Sequence, residues 1–302
     1  NWDYRYCWIR DAFFTVHALN RVGATGTMER FIEYVTNVIA QERGPALKPV
    51  YAIVPEATLE ERVAPALAGY RSHGPVRVGN DAVNQVQHDV YGSVVLAASQ
   101  MFFDERLPRK GDKTLFALLE PLGMHALSQA LTPDAGIWEY RGRARIHTHS
   151  AAMCWVACDR LARIAKLLDL PDRAEQWRTS ADGLRATILD RAWNAEHACF
   201  TGSLDSDEID ASVLLLHELG FVSATDERFI QTVDTIGRRL MRNGHLLRYA
   251  APDDFGAPAV AFTICTFWYV DALATIGRRD EARRLFEELL SRRNHVGLLS
   301  ED

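Results

Sequence analysis

The feature that most constrains the fold of this 302-residue chain is a repeated helix–turn–helix segment. Residues 16–33, VHALNRVGATGTMERFIE, align without a gap with residues 270–287, VDALATIGRRDEARRLFE. Both segments have a β-branched residue and a glycine at the turn, preceded by Ala-Leu and followed by Arg, two apolar residues and Glu. Residues 159–177 have a similar but looser pattern. Because repeated helical hairpins build solenoids or close into toroids, we predict an all-α chain.

Helical periodicity continues along most of the sequence. Residues 11–23 predict a helix that ends at a glycine, and residues 28–42 have apolar positions at helical spacing. Further helices are predicted over 88–103, 112–130, 149–169, 172–190, 210–218, 226–242, 259–276 and 279–292. Strand alternation is rare, and only 48–54 and 245–250 predict short strands. The apolar run 259–270 is too short to span a bilayer and predicts a buried helix.

Composition excludes several classes of function. The net charge is −6 without a basic stripe, so we expect no nucleic-acid partner. The chain has no Walker motif, no GxSxG elbow and no GxGxxG after a strand. Its five cysteines are odd in number and form no CxxC, which predicts buried, reduced thiols. We expect a cytoplasmic protein without a signal peptide, membrane contact, cofactor or metal; the oligomeric state stays open.

Long segments rich in aromatic and polar residues separate the predicted helices. They cover 41–87, 131–148, 191–209 and 243–258. Loops of this length are usually functional or disordered, and their Trp, Tyr, His and Arg content favours function. We therefore predict one all-α domain over residues 1–302, with elaborate loops at one end.

The segment PDAGIWEYRG, residues 133–142, places Glu139 between Trp138 and Tyr140. A carboxyl group beside an indole ring is partly removed from water, which favours the protonated form that a general acid needs. The ring of Trp138 could also stack on a sugar. The alternative is a surface turn in which Trp138 covers the edge of the core and Glu139 is solvated.

Three other segments carry candidate binding or catalytic residues. Residues 1–12, NWDYRYCWIRDA, combine aromatic rings with Arg and Asp, a composition that suits a polyol, although Asp11 also suits a helix N-terminus. Residues 245–256 contain Arg248, which could bind a ligand or pair with Asp253 or Asp254. The chain ends in GLLSED, where Glu301, taken alone, predicts only a solvated acid.

Five segments in this order resemble glycoside hydrolase family 15, the glucoamylase-like enzymes. They are NWDYRYCWIRDA, GYRSHGPVRVGNDAVNQVQHDVYG, GIWEYRG, FTICTFWYVDAL and RNHVGLLSED, and the resemblance covers essentially the whole chain. It implies an (α/α)6 barrel whose active site lies in the loops at one end. It also implies a catalytic domain that lacks the family's N-terminal β-sandwich domain and last helix, so that the barrel is incomplete at its C-terminus.

The resemblance also implies roles for individual residues. Glu139 is expected to be the general acid and Glu301 the general base. The further residues expected to bind substrate are Trp8, Arg10, Asp11, Trp138, Tyr140 and Arg248. Tyr140 stands where glucoamylases often have a second acid, which leaves the contacts beyond the first sugar undefined.

Three functions are compatible with these segments. The first is an inverting exo-acting hydrolase that releases β-glucose from starch- or dextrin-like glucans. The second is an α,α-trehalase on the same scaffold with the same two carboxylates. A third hypothesis, from another class, is a non-catalytic carbohydrate-binding toroid. The expected ligand in each case is an α-linked glucose oligosaccharide or disaccharide, and the +1 subsite that would distinguish the enzymes cannot be identified from the sequence.

Overall fold

The computed structural model describes residues 2–41, 46–54, 59–254 and 256–301, and helices account for 54% of it. In this part of the chain the α-helices are α1 (Ile9–Arg21), α2 (Thr25–Gln41), α3 (Asp89–Phe103), α4 (Lys113–Gln129), α5 (Thr148–Leu167), α6 (Pro171–Ala192), α7 (Glu227–Leu240), α8 (Thr263–Thr275) and α9 (Arg279–Ser291). No described helix is both long enough and apolar enough to cross a membrane.

The described strands are all two residues long and pair antiparallel. The pairs are β1 (Cys7–Trp8) with β2 (Val50–Tyr51), β3 (Arg62–Val63) with β4 (Arg77–Val78), β5 (Trp193–Asn194) with β6 (Cys199–Phe200), and β7 (Met241–Arg242) with β8 (His245–Leu246). Short 3-10 helices cover Tyr70–Ser72, Asp81–Asn84 and Ala211–Leu216.

The predicted helical hairpins are present. Helices α1 and α2 are joined at Gly23, and α8 and α9 are joined at Gly277. The two glycines have φ angles of 75° and 92°, in the left-handed region that a residue without Cβ adopts at least cost. The looser third repeat forms the end of α5 and the start of α6, with Pro171 as the first residue of the second helix.

The chain forms two compact units. The first, residues 1–139 and 153–182, contains α1 to α4. Its core includes α3, an almost entirely apolar helix that is buried from residue 89 to residue 99, as expected for a helix without a polar face. A Cβ atom added at Gly92 would lie 2.2 Å from the main-chain oxygen of Met153. Only glycine therefore permits this close approach of α3 to α5.

The second unit comprises residues 140–152 and 183–302. It contains α7, α8 and α9 with the β5–β6 and β7–β8 hairpins. The predicted helix over 210–218 is wrong in type, because the structure has a 3-10 helix over Ala211–Leu216. Its N-cap is Asp210, whose side chain accepts from the main-chain N–H of Ser212, and all six residues are buried. Burial of this apolar segment thus does not require α-helical geometry.

The predicted start of the helix over 259–276 is also wrong. Helix α8 begins at Thr263, because Phe262 is extended and its N–H donates to the carbonyl of Leu246 at 3.0 Å. The residues before it therefore belong to the loop that follows β8. Of the four predicted long segments, 41–87 includes residues 42–45 and 55–58, and 243–258 includes residue 255, which lie outside the described residues.

Candidate active site

Glu139 ends a tight turn in an otherwise well-packed segment. Its main-chain N–H donates to the carbonyl of Gly136 at 3.1 Å, and the residues that flank this turn, Ala135 and Tyr140, are buried. The φ angle of Glu139 is 59°, in the left-handed region that is unfavourable for a residue with a side chain. Backbone strain of this kind persists where the surrounding structure imposes it, often at functional sites.

A second segment of the first unit fixes this turn. The N–H of Ala135 donates to the carbonyl of Val86 at 2.9 Å, and the N–H of His88 donates to Oδ2 of Asp134 at 2.9 Å. Residues 134–139 and 85–89 are thus bonded to each other along their length. The position of Glu139 is set by residues about 50 positions earlier in the chain as well as by its own turn.

Two donors from the N-terminal segment reach the carboxyl group of Glu139. The indole Nε1 of Trp8 donates to Oε1 at 2.8 Å, and Nη2 of Arg10 donates to the same oxygen at 3.0 Å. Oε2 accepts no hydrogen bond from the described residues. The Trp8 ring is buried against Val50 and Ala82, which directs its N–H toward Glu139. The two carboxylate oxygens therefore differ, one bound to two donors and the other to none among the described residues.

Arg10 connects Glu139 to a buried aspartate. Nη1 of Arg10 lies 3.2 Å from Oδ2 of Asp89, and the side chains of Arg10 and Asp89 are 11% and 0% exposed. Nη1 also donates to Oε1 of Gln87 at 2.8 Å. Burial by itself lowers the pKa of Arg10, but the charges of Asp89 and Glu139 outweigh it and raise that pKa. Arg10 is consequently a fixed positive charge between two carboxyl groups.

Asp11 follows Arg10 in α1 and is exposed. Its carboxyl group makes no hydrogen bond with a described residue. The protein atoms around the carboxyl group of Asp11 displace part of its hydration, which raises its pKa. The positive charge of Arg10 opposes this effect, and the negative charges of Glu139 and Asp89 add to it. Three carboxyl groups thus share one guanidinium, so their full ionisation would leave a net charge of −2.

The sequence predicts that the ring of the neighbouring Trp138 removes the carboxyl group of Glu139 partly from water. Trp138 is half-buried, and a second ring, that of Trp8, contacts the carboxyl group through its polar edge. The side chain of Glu139 is 26% exposed. The surroundings of this carboxyl group therefore include two N–H donors, one of which is charged.

Asp3 holds the strand that carries Trp8. Its carboxylate accepts from Nε and Nη2 of Arg5 at 2.8 and 2.7 Å, from the Tyr6 hydroxyl at 2.9 Å and from the N–H of Gly79 at 3.1 Å. The side chain of Asn80 donates to the main-chain oxygen of Asp3 at 3.2 Å. The N-terminal segment is thereby attached to the segment that leads into Gln85.

Tyr140 belongs to the second unit and is 6% exposed. Its ring stacks on His147 with centroids 5.6 Å apart, and it packs against Tyr249 at 5.5 Å. The guanidinium of Arg143 lies 4.8 Å from the ring centroid. Burial lowers the pKa of His147 to about 4, and the positive charges of the neighbouring Arg143 and Arg145 contribute to this shift. The imidazole is therefore neutral at neutral pH. Tyr140 is therefore a packed side chain within this unit.

Arg248 and Glu301 also lie in the second unit. The guanidinium of Arg248 is 5.5 Å from the Tyr249 ring and 5.4 Å from the Phe262 ring. The main-chain oxygen of Glu301 accepts from the N–H of Thr263, the first residue of α8, at 2.8 Å. The carboxyl group of Glu301 is exposed and bonds to none of the described residues.

The structure brings together Trp8, Arg10 and Glu139 among the predicted site residues, and it adds Gln85, Gln87 and Asp89. These three residues were not predicted from the sequence, although their spacing of two residues was a usable signal. In an extended segment, residues two apart lie on the same side. Within the described ranges, no group of three or more His, Cys, Asp or Glu side chains is placed to hold a metal ion.

The cysteines agree in part with the predicted buried thiols. All five are free; Cys154, Cys158, Cys199 and Cys265 are buried, whereas Cys7 is half-buried. Removal from water raises the pKa of each of these thiols. None is therefore a reactive thiolate at neutral pH.

Comparison with known proteins gives concordant matches. The model of "Glycosyl hydrolases family 15" matches residues 1–300. A trehalase of Mycobacterium tuberculosis is 35% identical over 308 residues, covering 100% of this chain and 45% of that protein. A trehalase of Thermoplasma volcanium is 33% identical over 303 residues, covering 100% of this chain and 48% of that protein. The chain thus spans about half the length of the curated relatives it matches.

Solved structures share the fold at lower identity. A wild-type glycosidase aligns with a TM-score of 0.76 at 18% identity, covering 99% of this chain and 77% of that one. A bacterial glucoamylase complexed with acarbose aligns with a TM-score of 0.70 at 15% identity, covering 98% of this chain and 44% of that one. The predicted (α/α)6-barrel fold class is confirmed by these similarities.

The attachment of the Trp8 strand predicts an acid-sensitive stability. The Arg5 guanidinium, helped by Tyr6 and the main chain, holds the pKa of Asp3 well below its unfolded value of 3.8. A group with a depressed folded pKa stabilises the protein above its unfolded pKa and loses this effect as pH falls. We expect Asp3→Asn to unfold at a lower urea concentration than wild type at pH 7. When the pH is lowered below about 4, the urea midpoint of wild type should fall more than that of Asp3→Asn.

Glu105→Gln is the control, because Glu105 is exposed and has no hydrogen-bond partner among the described residues. Its midpoint should follow wild type at every pH. Parallel pH curves for Asp3→Asn and wild type would show that Asp3 does not stabilise the strand through its charge.

Proposed function

The chain belongs to glycosyl hydrolases family 15, and we propose that the protein containing it hydrolyses α-glucosides with trehalose as its preferred substrate. The observation that carries the choice of trehalose is similarity over the whole chain, at 29–35% identity, to proteins named trehalase. Starch-like glucans were the first expectation from the sequence, and these relatives favour the alternative. A cytoplasmic location stays a prediction.

The geometry of Glu139 supports its role as the general acid. Oε1 already accepts from Trp8 and Arg10, so a proton on this carboxyl group belongs on Oε2. Oε2 is then the atom that donates to the glycosidic oxygen. The carboxyl groups of Asp11 and Asp89 lie in the electrostatic surroundings of Glu139, and partial removal from water, with the negative charges of Glu139 and Asp89, raises the pKa of Asp11.

Glu301 is proposed as the general base that completes an inverting mechanism. It takes a proton from water while the water oxygen bonds to the anomeric carbon, on the face opposite the leaving group. The carbon–oxygen bond breaks, its electron pair goes to the glycosidic oxygen, and that oxygen takes the proton of Glu139. A base must have an oxygen that is able to accept the proton, and the exposed carboxyl group of Glu301, which bonds to none of the described residues, meets this condition.

The choice of substrate is tested with the full-length protein on trehalose, maltose, isomaltose and soluble starch. We expect the highest kcat/KM on trehalose, because hydrolysis must be most efficient on the substrate whose second glucose unit the +1 subsite fits. A higher kcat/KM on starch or maltose would favour the glucoamylase reading. Binding of these sugars without hydrolysis would favour the carbohydrate-binding toroid.

The two carboxyl groups are tested by Glu139→Gln and Glu301→Gln, each of which preserves size and removes acid–base function. We expect each substitution to lower kcat on trehalose by about 10²–10⁴-fold, with unchanged thermal unfolding. Glu196→Gln, an exposed position in the second unit, is the control and should retain wild-type kcat. Wild-type activity of either Glu139→Gln or Glu301→Gln would exclude the assigned role of that residue.

A further inference from the structure

We propose that Gln85 and Gln87 are positioning residues that hold the general acid Glu139 in its reactive orientation. The inference rests on the proposed function, since it requires Glu139 to protonate the leaving oxygen. It concerns two residues with no role in the mechanism above. The evidence is a closed ring of hydrogen bonds that begins and ends at Arg10.

The ring passes through four side chains and one main-chain carbonyl. Nη1 of Arg10 donates to Oε1 of Gln87 at 2.8 Å, and Nε2 of Gln87 donates to Oε1 of Gln85 at 2.9 Å. Nε2 of Gln85 donates to the main-chain oxygen of Glu139 at 3.1 Å. Nη2 of Arg10 closes the ring at the carboxyl group of Glu139, at 3.0 Å. Both the backbone and the side chain of Glu139 are therefore held by one network.

The chemistry of the two ends explains why glutamine occupies both intermediate positions. A guanidinium only donates hydrogen bonds, and a main-chain carbonyl only accepts them. Each residue between them must accept from one neighbour and donate to the next, which an amide side chain does. Glutamate at position 85 would keep the acceptor and lose the donor, and an apolar residue would lose both.

The network acts where Glu139 needs support. The left-handed φ of 59° at Glu139 is a conformation that its own side chain disfavours. The bond from Gln85 ends on the carbonyl of this residue and resists its relaxation to an ordinary backbone conformation. Gln87 is 2% exposed, and its amide is satisfied within the ring, so it is placed to orient its neighbours and not to bind a sugar.

A misplaced acid should slow only reactions that need its proton. The experiment measures kcat and KM of the full-length protein on trehalose and on α-glucosyl fluoride, for wild type and Gln85→Met. Fluoride leaves as a weakly basic anion and needs little protonation, while the water and base steps are unchanged.

We expect kcat on trehalose to fall about 10–100-fold, with KM changed less than about 3-fold. Activity on α-glucosyl fluoride should stay within about 3-fold of wild type.

Two further variants complete the design. Gln85→Glu keeps the size of the side chain and the acceptor for Gln87, and should reproduce the loss of kcat on trehalose. This variant also replaces Gln85→Met in the experiment if Gln85→Met is insoluble. Val86→Ala is the matched control, because the Val86 side chain lies between the two glutamines, is 60% exposed and takes no part in the ring. It should match wild type on both substrates.

The outcomes separate this inference from the function on which it rests. If wild type hydrolyses neither substrate, the proposed function fails. If wild type is active and Gln85→Met and Gln85→Glu equal it on trehalose, the function stands and the positioning role is overturned. Equal losses of activity on both substrates would also overturn the positioning role, because they would indicate a general structural defect. A change in KM alone would overturn it as well, because it would indicate a contact with the substrate.

Discussion

The contact on which the candidate site depends is the one between the Arg10 guanidinium and two carboxyl groups, Glu139 and Asp89. Asp89 is fully buried, and loss of one partner of a buried ion pair typically costs about 3–5 kcal/mol. Because Arg10 cannot lose its proton, it fixes Oε1 of Glu139 as an acceptor. Oε2 is thereby left for the proton. One constant positive charge thus distinguishes the two oxygens of the proposed acid.

Much of the fold could be predicted from the sequence because the signals are local. Glycine turns at Gly23 and Gly277 and apolar positions at helical spacing identified the hairpins, and most predicted helix ends lie within two or three residues of those observed. The errors occurred where a non-local bond decides the conformation. Phe262, for example, is extended because its N–H donates to Leu246, which no periodicity reveals.

The candidate site was less predictable for the same reason. The segment GIWE indicated Glu139 as an acid, and its neighbour Trp138 was the obvious aromatic partner. The structure also places Trp8 against Glu139, although it is 131 positions away in the chain. Gln85 and Gln87 carry no charge and match no motif, so their contribution depends on a ring of bonds that only the folded chain forms. The choice between trehalose and glucans depends on a +1 subsite that none of the quoted segments defines.

The proposed reaction is hydrolysis of an α-glucoside with inversion, with Glu139 as the proposed acid and Glu301 as the proposed base. Its most direct test is the anomeric composition of the first glucose released from trehalose, followed by proton NMR before mutarotation. Inversion converts one glucose unit to the β anomer, while the leaving unit keeps its α configuration. The account predicts equal initial amounts of α- and β-glucose from the full-length protein. Initial release of α-glucose alone would contradict it.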